Sequence, residues 1–339
     1  MRRAGQVVMA LLIGCAATGD LFGQVGLNNL GQSTMNFLVV STSPVASGMG
    51  DAFNAVGVGS ESMFYNPAGL VETKSEFDVF VNMTQWIADI RYLSSGIAWN
   101  LEKYGSVGVS VLTVDYGTIQ GTSLLSSGEQ ALYPAGYKDN GPISNLSAYA
   151  LGVSYAQAIT PLFSIGGSVR LAAQHLGENL VAGGVIRKNN AQKLVFDAGV
   201  KYHTGFRSFR FGMSMRNFSS DLKREEIDET LPLTFSLGLA IDLFEAITNE
   251  PSTVNSLLVG VDFLHQNNYS ERANLGVVYT FHEMISLRCG YQTNRDLASW
   301  SLGVGVSPTI VGQRIRVDYS YSRFDLFGGV NRFGIGVAF

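Results

Sequence analysis

The C-terminal stretch Arg314-Ile315-Arg316-Val317-Asp318-Tyr319-Ser320-Tyr321, and after it Phe333-Gly334-Ile335-Gly336-Val337-Ala338-Phe339, alternates without a break. Large apolar side chains occupy every second position. Small or charged ones fill the gaps. A period of two is a strand with two different faces. Gly, Ala, Ser, Arg and Asp cannot fill the core of a water-soluble barrel, so the apolar face is expected to point outward, into lipid.

The same pattern recurs upstream. Phe209, Phe211, Met213 and Met215 oppose Arg210, Gly212, Ser214 and Arg216. Leu233, Phe235, Leu237, Leu239 and Ile241 oppose Thr234, Ser236, Gly238, Ala240 and Asp242. Leu275, Val277, Tyr279 and Phe281 oppose Asn274, Gly276, Val278 and Thr280, and Trp300, Leu302, Val304 and Val306 oppose Ser301, Gly303, Gly305 and Ser307. The ionisable residues of these strands keep to the face away from the apolar run. An Arg or Lys facing lipid at mid-membrane costs about 2–4 kcal/mol.

Strands are expected near 76–84, 90–101, 104–116, 146–159, 161–175, 192–204, 207–217, 232–245, 254–265, 271–282, 284–293, 297–307, 313–322 and 332–339. That is an all-β chain forming a transmembrane antiparallel β-barrel of about fourteen strands, a length and an even number suited to tilted membrane strands. The connections 117–145, 177–191 and 218–231 read as long, and those at 102–103, 160–161 and 205–206 as tight. Long external loops and short periplasmic turns alternate in this way. Both termini then lie on the periplasmic side.

Composition agrees. The 339 residues include 39 Gly, 20 Phe and 14 Tyr but 8 Pro, and 15% are charged. Glycine with aromatics at this level suits a many-stranded β protein. A net charge of -4 gives no reason to expect nucleic acid as a partner. Residues 1–23 read as a signal peptide, with Arg2 and Arg3 ahead of an apolar run from Val7 to Ala17 that is too short to span. Leu12-Ile13-Gly14-Cys15 also fits a lipobox, which would make Cys15 a lipid anchor. Cleavage at Gly23 leaves Cys289 alone, on the apolar face with Leu287 and Tyr291, where packing or lipid contact is its expected role. The exported chain is placed in the outer membrane of a Gram-negative-type bacterium, with outer-membrane lipid as a partner.

Residues 24–73 break the alternation and are expected to form a plug or hatch ahead of the barrel at 74–339. Thr34 to Val40 is short and apolar, Ala46 to Val56 is Gly/Ala-rich, and Asn66-Pro67-Ala68-Gly69-Leu70 is a turn sequence. With the termini on the periplasmic side, this element is expected to start there and plug that mouth or lie against it.

Chemistry is not written in the chain. His175, His203, His265 and His282 lie near different strand ends, with no pair at metal-ligand spacing. There is no G-x-S-x-G elbow and no phosphate-binding loop. No catalytic, cofactor or metal residue is assigned, and the protein is read as a non-enzyme. Asp78, Asp197, Asp242, Asp262 and Asp318 are set against Arg170, Lys201, Arg210, Arg216, Arg288, Arg314 and Arg316 on the inner face. They are expected to pair across the interior, with a polar path for a solute as the alternative. The 218–231 loop mixes both signs and reads as solvated.

Phe37-Leu38, Met49-Gly50-Asp51-Ala52-Phe53-Asn54-Ala55-Val56, Tyr65-Asn66-Pro67-Ala68-Gly69-Leu70 and Gln85-Trp86-Ile87-Ala88-Asp89-Ile90-Arg91-Tyr92, in this order, resemble the PorV/PorQ family of outer-membrane proteins. The resemblance by motif covers about residues 33–116. Met49, Gly50, Asn66, Pro67, Gly69, Gln85, Trp86 and Asp89 carry it. The Asn-Pro-Ala-Gly-Leu piece also occurs in FadL-type fatty-acid transporters. Pro44-Val45-Ala46-Ser47 stands where family members often carry Ala-Arg, so no role of that Arg transfers. The resemblance implies a FadL-like barrel and a component or shuttle of type IX protein secretion, with secretion-system proteins and the C-terminal signal domains of exported cargo as partners. It also implies that barrel assembly machinery reads Phe339 as an insertion signal. The alternative function is a FadL-like transporter of hydrophobic small molecules.

Overall fold

The computed structural model describes residues 33–339 except 74, 126–127, 144–145, 182–184, 225–226, 249–253, 295–297 and 325–326. Among them fourteen antiparallel strands close into a barrel. These are β1 (Phe77–Gln85), β2 (Arg91–Asn100), β3 (Ser106–Asp115), β4 (Leu146–Thr160), β5 (Phe163–Val181), β6 (Val185–His203) and β7 (Arg210–Phe218). They continue as β8 (Thr234–Asp242), β9 (Asn255–Gln266), β10 (Arg272–Phe281), β11 (Ile285–Gln292), β12 (Ala298–Val306), β13 (Gln313–Phe324) and β14 (Gly328–Ala338). Each pairs with its neighbours in sequence, and β1 pairs with β14 in the register Asp78↔Ala338 to Gln85↔Asn331. Phe339 completes the seam. Its N–H donates to the Phe77 carbonyl at 3.0 Å, the Phe77 N–H donates back at 2.8 Å, and the two rings stack at 5.5 Å. Closure removes every edge, the condition for crossing hydrocarbon with strands.

The faces follow the alternation. Ile335, Phe333, Val304, Leu302 and Met213 are exposed on the outer wall, while Arg332, Ser320, Ser301 and Ser214 are buried inside. Cys289 is half-exposed beside Leu287 and Tyr291. The span of β5 and β6 differs from expectation. The two strands run on together beyond 175 to Val181 and Val185, past a register shift between His175 and Glu178. The extension carries no two-faced hydropathic alternation in sequence, so a period-two reading stops short of it. Further short hairpins decorate the same end, Gln120–Leu124 with Tyr137–Pro142 and Leu222–Arg224 with Ile227–Glu229. At the opposite end the turns are tight, apart from one carrying the helix α2 (Leu243–Thr248).

The lumen is filled by residues 33–73. Their course corrects the expectation that this element starts at the periplasmic mouth. Ser33 bridges to Thr230, and the Thr34 N–H donates to the Thr230 carbonyl at 3.0 Å, both at the long-loop end. The chain then descends through 3₁₀ turns at Asn36–Val39, Gly59–Phe64 and Pro67–Glu72 and a short helix, α1 (Pro44–Gly48). It reaches the short-turn end at Thr73, whose carbonyl accepts from Asn100 at 3.1 Å, and enters β1. The reason is connectivity. β1 begins at the short-turn end, so a segment that fills the lumen ahead of it must begin at the other end.

The small inner face explains how this hatch fits. A Cβ at Gly276 would stand 2.5 Å from the Met49 carbonyl oxygen, and one at Gly334 would stand 2.7 Å from Pro44. Gly166 and Gly199 make the same room for Pro67, and Gly212 and Gly238 for Asn54 and Ala55. Real Cβ atoms do not approach so closely, so the wall carries glycine where the hatch touches it.

Wall side chains satisfy the irregular hatch backbone, as buried amides require. Asp262 accepts from the N–H groups of Phe53 at 2.9 Å and Asn54 at 2.8 Å. Asp78 accepts from the Ser60 N–H at 2.8 Å. Arg332 donates to the Ser41 carbonyl at 2.8 Å, and Arg216 to the Phe64 carbonyl at 2.6 Å.

Three of the expected inner pairs form: Arg170 with Asp197 at 2.7 Å, Arg288 with Asp318 at 2.7 Å and Arg316 with Asp78 at 2.6 Å, whereas Asp262 and Arg216 bind hatch backbone instead. Lys201 pairs with Glu72 of the hatch at 2.8 Å and donates to the Gly57 carbonyl at 2.9 Å. Two of the expected lumen charges lie at the short-turn rim instead. Asp242 caps α2 by accepting from the Phe244 N–H at 2.9 Å, and exposed Arg314 donates to the Glu283 carbonyl at 2.8 Å. Each stands at the last paired position of its strand against a neighbour, Asp242 opposite Leu258 and Arg314 opposite Ala338, at the rim of the lumen.

Candidate functional site: a vestibule above the hatch

Met35, Phe37 and Leu38 of the hatch pack on Tyr92, Leu112 and Val114 of the wall and on Leu231. This buried cluster forms a floor across the barrel at the long-loop end. Above it opens a vestibule of about 630 Å³. Trp86, Tyr92, Tyr116, Tyr269 and Phe324 line its sides, Phe37 its base, and Gln174, Gln266, Arg272 and Asn294 interrupt the aromatic surface. The lining is preset. Trp86 meets Tyr92 and Phe324 edge-on at 6.1 and 5.0 Å, and the Arg332 guanidinium lies 5.8 Å over its ring from below. Arg272 sits 4.3 Å over Tyr269. Aromatic walls with few polar groups are the usual make-up of small-molecule sites.

Beneath the floor lies a second, polar chamber of about 70 Å³. Asp51, Asn54, Arg216, Asp262, Gln266 and Arg272 line it. Ser41 joins its roof to its wall, donating to Asp51 at 2.5 Å and bonding the Tyr65 hydroxyl at 2.9 Å. Val39, Val40, Gln266 and Arg272 line both spaces, so the chamber and the vestibule adjoin there.

The hatch is latched at its lower end by Glu72, which also meets His203 at 3.2 Å. Burial alone would raise the Glu72 pKa, but Lys201 and the hydrogen bond from His203 hold it below the ordinary carboxylate range. Glu61, accepting from Ser43 within the hatch, has its pKa raised by burial.

The residues that carry the motif separate into three groups. Met49, Gly50, Asn66, Pro67 and Gly69 seat the hatch. Met49 is fully buried against Gly276. Gly50, at φ 62°, donates to Ser301 at 3.1 Å and accepts from Gln292 at 2.9 Å. Asn66 caps the Pro67–Glu72 turn, accepting from Ala68 at 3.1 Å and donating to the carbonyls of Asn54 and Val200. A Cβ at Gly69 would meet Ser62 at 2.9 Å. Trp86 lines the vestibule. Gln85 and Asp89 are exposed at the β1–β2 turn, away from both spaces. Tyr116, Tyr269, Arg272 and Phe324 were not singled out from sequence. They come from separate loops and strand ends, and only closure of the barrel brings them together. Among the described residues no group of three His, Cys, Asp or Glu could hold an ion.

A closed fourteen-strand barrel with an apolar outer wall and a hatch-filled lumen defines an integral outer-membrane β-barrel protein. Its structural neighbours include a monoaromatic hydrocarbon channel, a toluene transporter and a FadL homologue. The monoaromatic hydrocarbon channel CymD is similar with a TM-score of 0.55 at 12% identity, over 89% of this chain and 98% of that one. The Ralstonia pickettii toluene transporter TbuX gives 0.54 at 13% identity, over 87% and 97%. A Pseudomonas aeruginosa FadL homologue gives 0.52 at 11%, over 89% and 98%. No protein-family model and no curated protein matches the chain.

Proposed function

We propose that the protein is an outer-membrane channel, and not an enzyme, that admits small hydrophobic molecules from outside the cell. The observation that carries this reading is the aromatic vestibule of about 630 Å³ facing the long-loop end, with a hatch as its floor. The likeness in fold to transporters of toluene and other monoaromatic hydrocarbons supports it. The secretion-shuttle role implied by the family resemblance rests on motifs that mostly seat the hatch. A hydrophobe channel needs that seating as much as a shuttle does, so those motifs do not favour secretion. The test is uptake of ethylbenzene by cells carrying the wild-type protein, Trp86→Ala, or a gene deletion, with the secreted proteome compared in parallel. Slowed uptake in both mutants with an unchanged secretome is the expected result. Normal uptake with cargo stranded in the periplasm would restore the shuttle reading.

A further inference from the structure

The polar chamber under the vestibule is built, and the hatch does not use all of it. Four residues that line it each carry a buried polar atom without a hydrogen-bond partner: Asp262 Oδ1, Asn54 Oδ1, Gln266 Nε2 and Arg216 Nε. Asp262, Asn54 and Gln266 are 3%, 3% and 6% exposed. Buried polar groups are rarely left unpaired, because each costs about 1–3 kcal/mol. The orphans here are two acceptors and two donors around one space of about 70 Å³. A space that size holds a few waters or a small polar group.

Formal charge narrows the choice of occupant. The charged residues lining the chamber are Asp51, Asp262, Arg216 and Arg272, two of each sign. Asp262 is fixed by two hatch amides, and Asp51 by Ser41 and Gln292. A balanced, desolvated site gives no net Coulombic return for bringing in a further charge, whose desolvation is expensive. A group that both donates and accepts a hydrogen bond while staying neutral matches the orphaned atoms. Gln266 stands where the chamber joins the vestibule, so a molecule can place its apolar body among the aromatic rings and its polar end below them.

We infer that the chamber is the head-group subsite of the proposed channel and takes the hydroxyl of a neutral amphiphile, an alcohol on an apolar body, in preference to a bare hydrocarbon, a carboxylate or an ammonium. This rests on the channel reading and adds selectivity to it.

The experiment uses the full-length protein in lipid nanodiscs. Trp99→Phe and Trp300→Phe silence two lipid-facing tryptophans, leaving Trp86 as the vestibule reporter. Four probes share a phenyl body: 2-phenylethanol, ethylbenzene, 3-phenylpropanoate and 2-phenylethylammonium. The alcohol is expected to bind about threefold to tenfold tighter than each of the others, the value of one neutral hydrogen bond. Gln266→Met keeps the bulk and removes the donor. It should erase the preference for the alcohol, so that the ratio of alcohol to ethylbenzene affinity falls to about one. If the variant does not fold, the ranking on wild-type protein decides. Tighter binding of the carboxylate or ammonium, or equal binding of alcohol and hydrocarbon, overturns the subsite while leaving the channel standing. If no probe reaches Trp86, both readings fall.

Discussion

Gly276→Ala should loosen the hatch at Met49–Gly50 while leaving the strand pairing of the wall in place. Gly276 faces inward between Gly260 of β9 and Gly290 of β11. The new methyl would stand 2.5 Å from the Met49 carbonyl oxygen, 2.9 Å from the Met49 Cβ and 3.2 Å from the Ala52 Cβ. Relief requires the Met49–Gly50 step to retreat by roughly 1 Å, since carbon and oxygen pack at about 3.4 Å or more. That movement strains the bond from Gly50 to Ser301 at 3.1 Å and the one from Gln292 to Gly50 at 2.9 Å. Two hydrogen bonds at about 1 kcal/mol each, with overpacking of about 1–3 kcal/mol, place the docked hatch about 3–5 kcal/mol higher. Alanine meanwhile suits a strand better than glycine by about 0.5–1 kcal/mol, so the wall itself gains slightly. The two effects have opposite signs and can be separated. Hydrogen exchange at the amides of residues 49–54 should accelerate by at least a hundredfold, at 1.4 kcal/mol per decade. Gel migration of the unheated barrel should not change. Gly167→Ala is the control, because its Cβ would meet only the Asp197 carbonyl oxygen, at 3.4 Å. If amide protection of 49–54 survives Gly276→Ala, the glycines do not make room for the hatch and the argument fails.

Three further outcomes follow from the same structure. Val304→Arg, placing a charge on the lipid face, should destabilise the barrel by about 2–4 kcal/mol in urea unfolding from liposomes, and a loss under 1 kcal/mol would reverse the facing of β12. Glu72 has a lowered pKa in the folded state. Its contribution to hatch docking is therefore complete above the ordinary carboxylate range and is lost as pH falls through and below it, so protease protection of residues 33–73 should drop on acidification and the drop should flatten in Glu72→Gln. Deleting Phe339 removes both seam hydrogen bonds to Phe77 and the ring stack, and the amount of mature protein in outer-membrane fractions should fall. Unchanged levels would remove the residue from both closure and the proposed recognition by assembly machinery.

The wall was legible because the membrane enforces a strict rule on each strand. Phe333, Ile335 and Val337 alternate with Gly334, Gly336 and Ala338 only if one side meets hydrocarbon. The hairpin beyond His175 was not legible as strand, because its sequence carries no such alternation. Inside the barrel, the many small residues left the occupant of the lumen undefined, since a glycine marks room for a neighbour and not which neighbour. Asn66 and Gly50 stood out by sequence for reasons the structure makes plain, a cap and a positive φ. Asp262 and Gln266 did not. Their importance lies in which hatch atoms and cavity they face across the lumen, and no local pattern encodes that.

The interior glycines have a cost for the strands that bear them. They contribute little intrinsic preference for extended structure and no side chains to stiffen neighbouring strands. The hatch supplies what the wall lacks, tying β7, β8, β9, β12 and β14 together through Asn54, Asp262, Gly50 and Ser41. The hatch precedes the strands in the chain and spans the lumen from end to end. It thereby acts as a mandrel, a form on which the sheet sets its girth. A barrel built without it would keep its outer surface and its strand count but lose the gauge that fixes its bore.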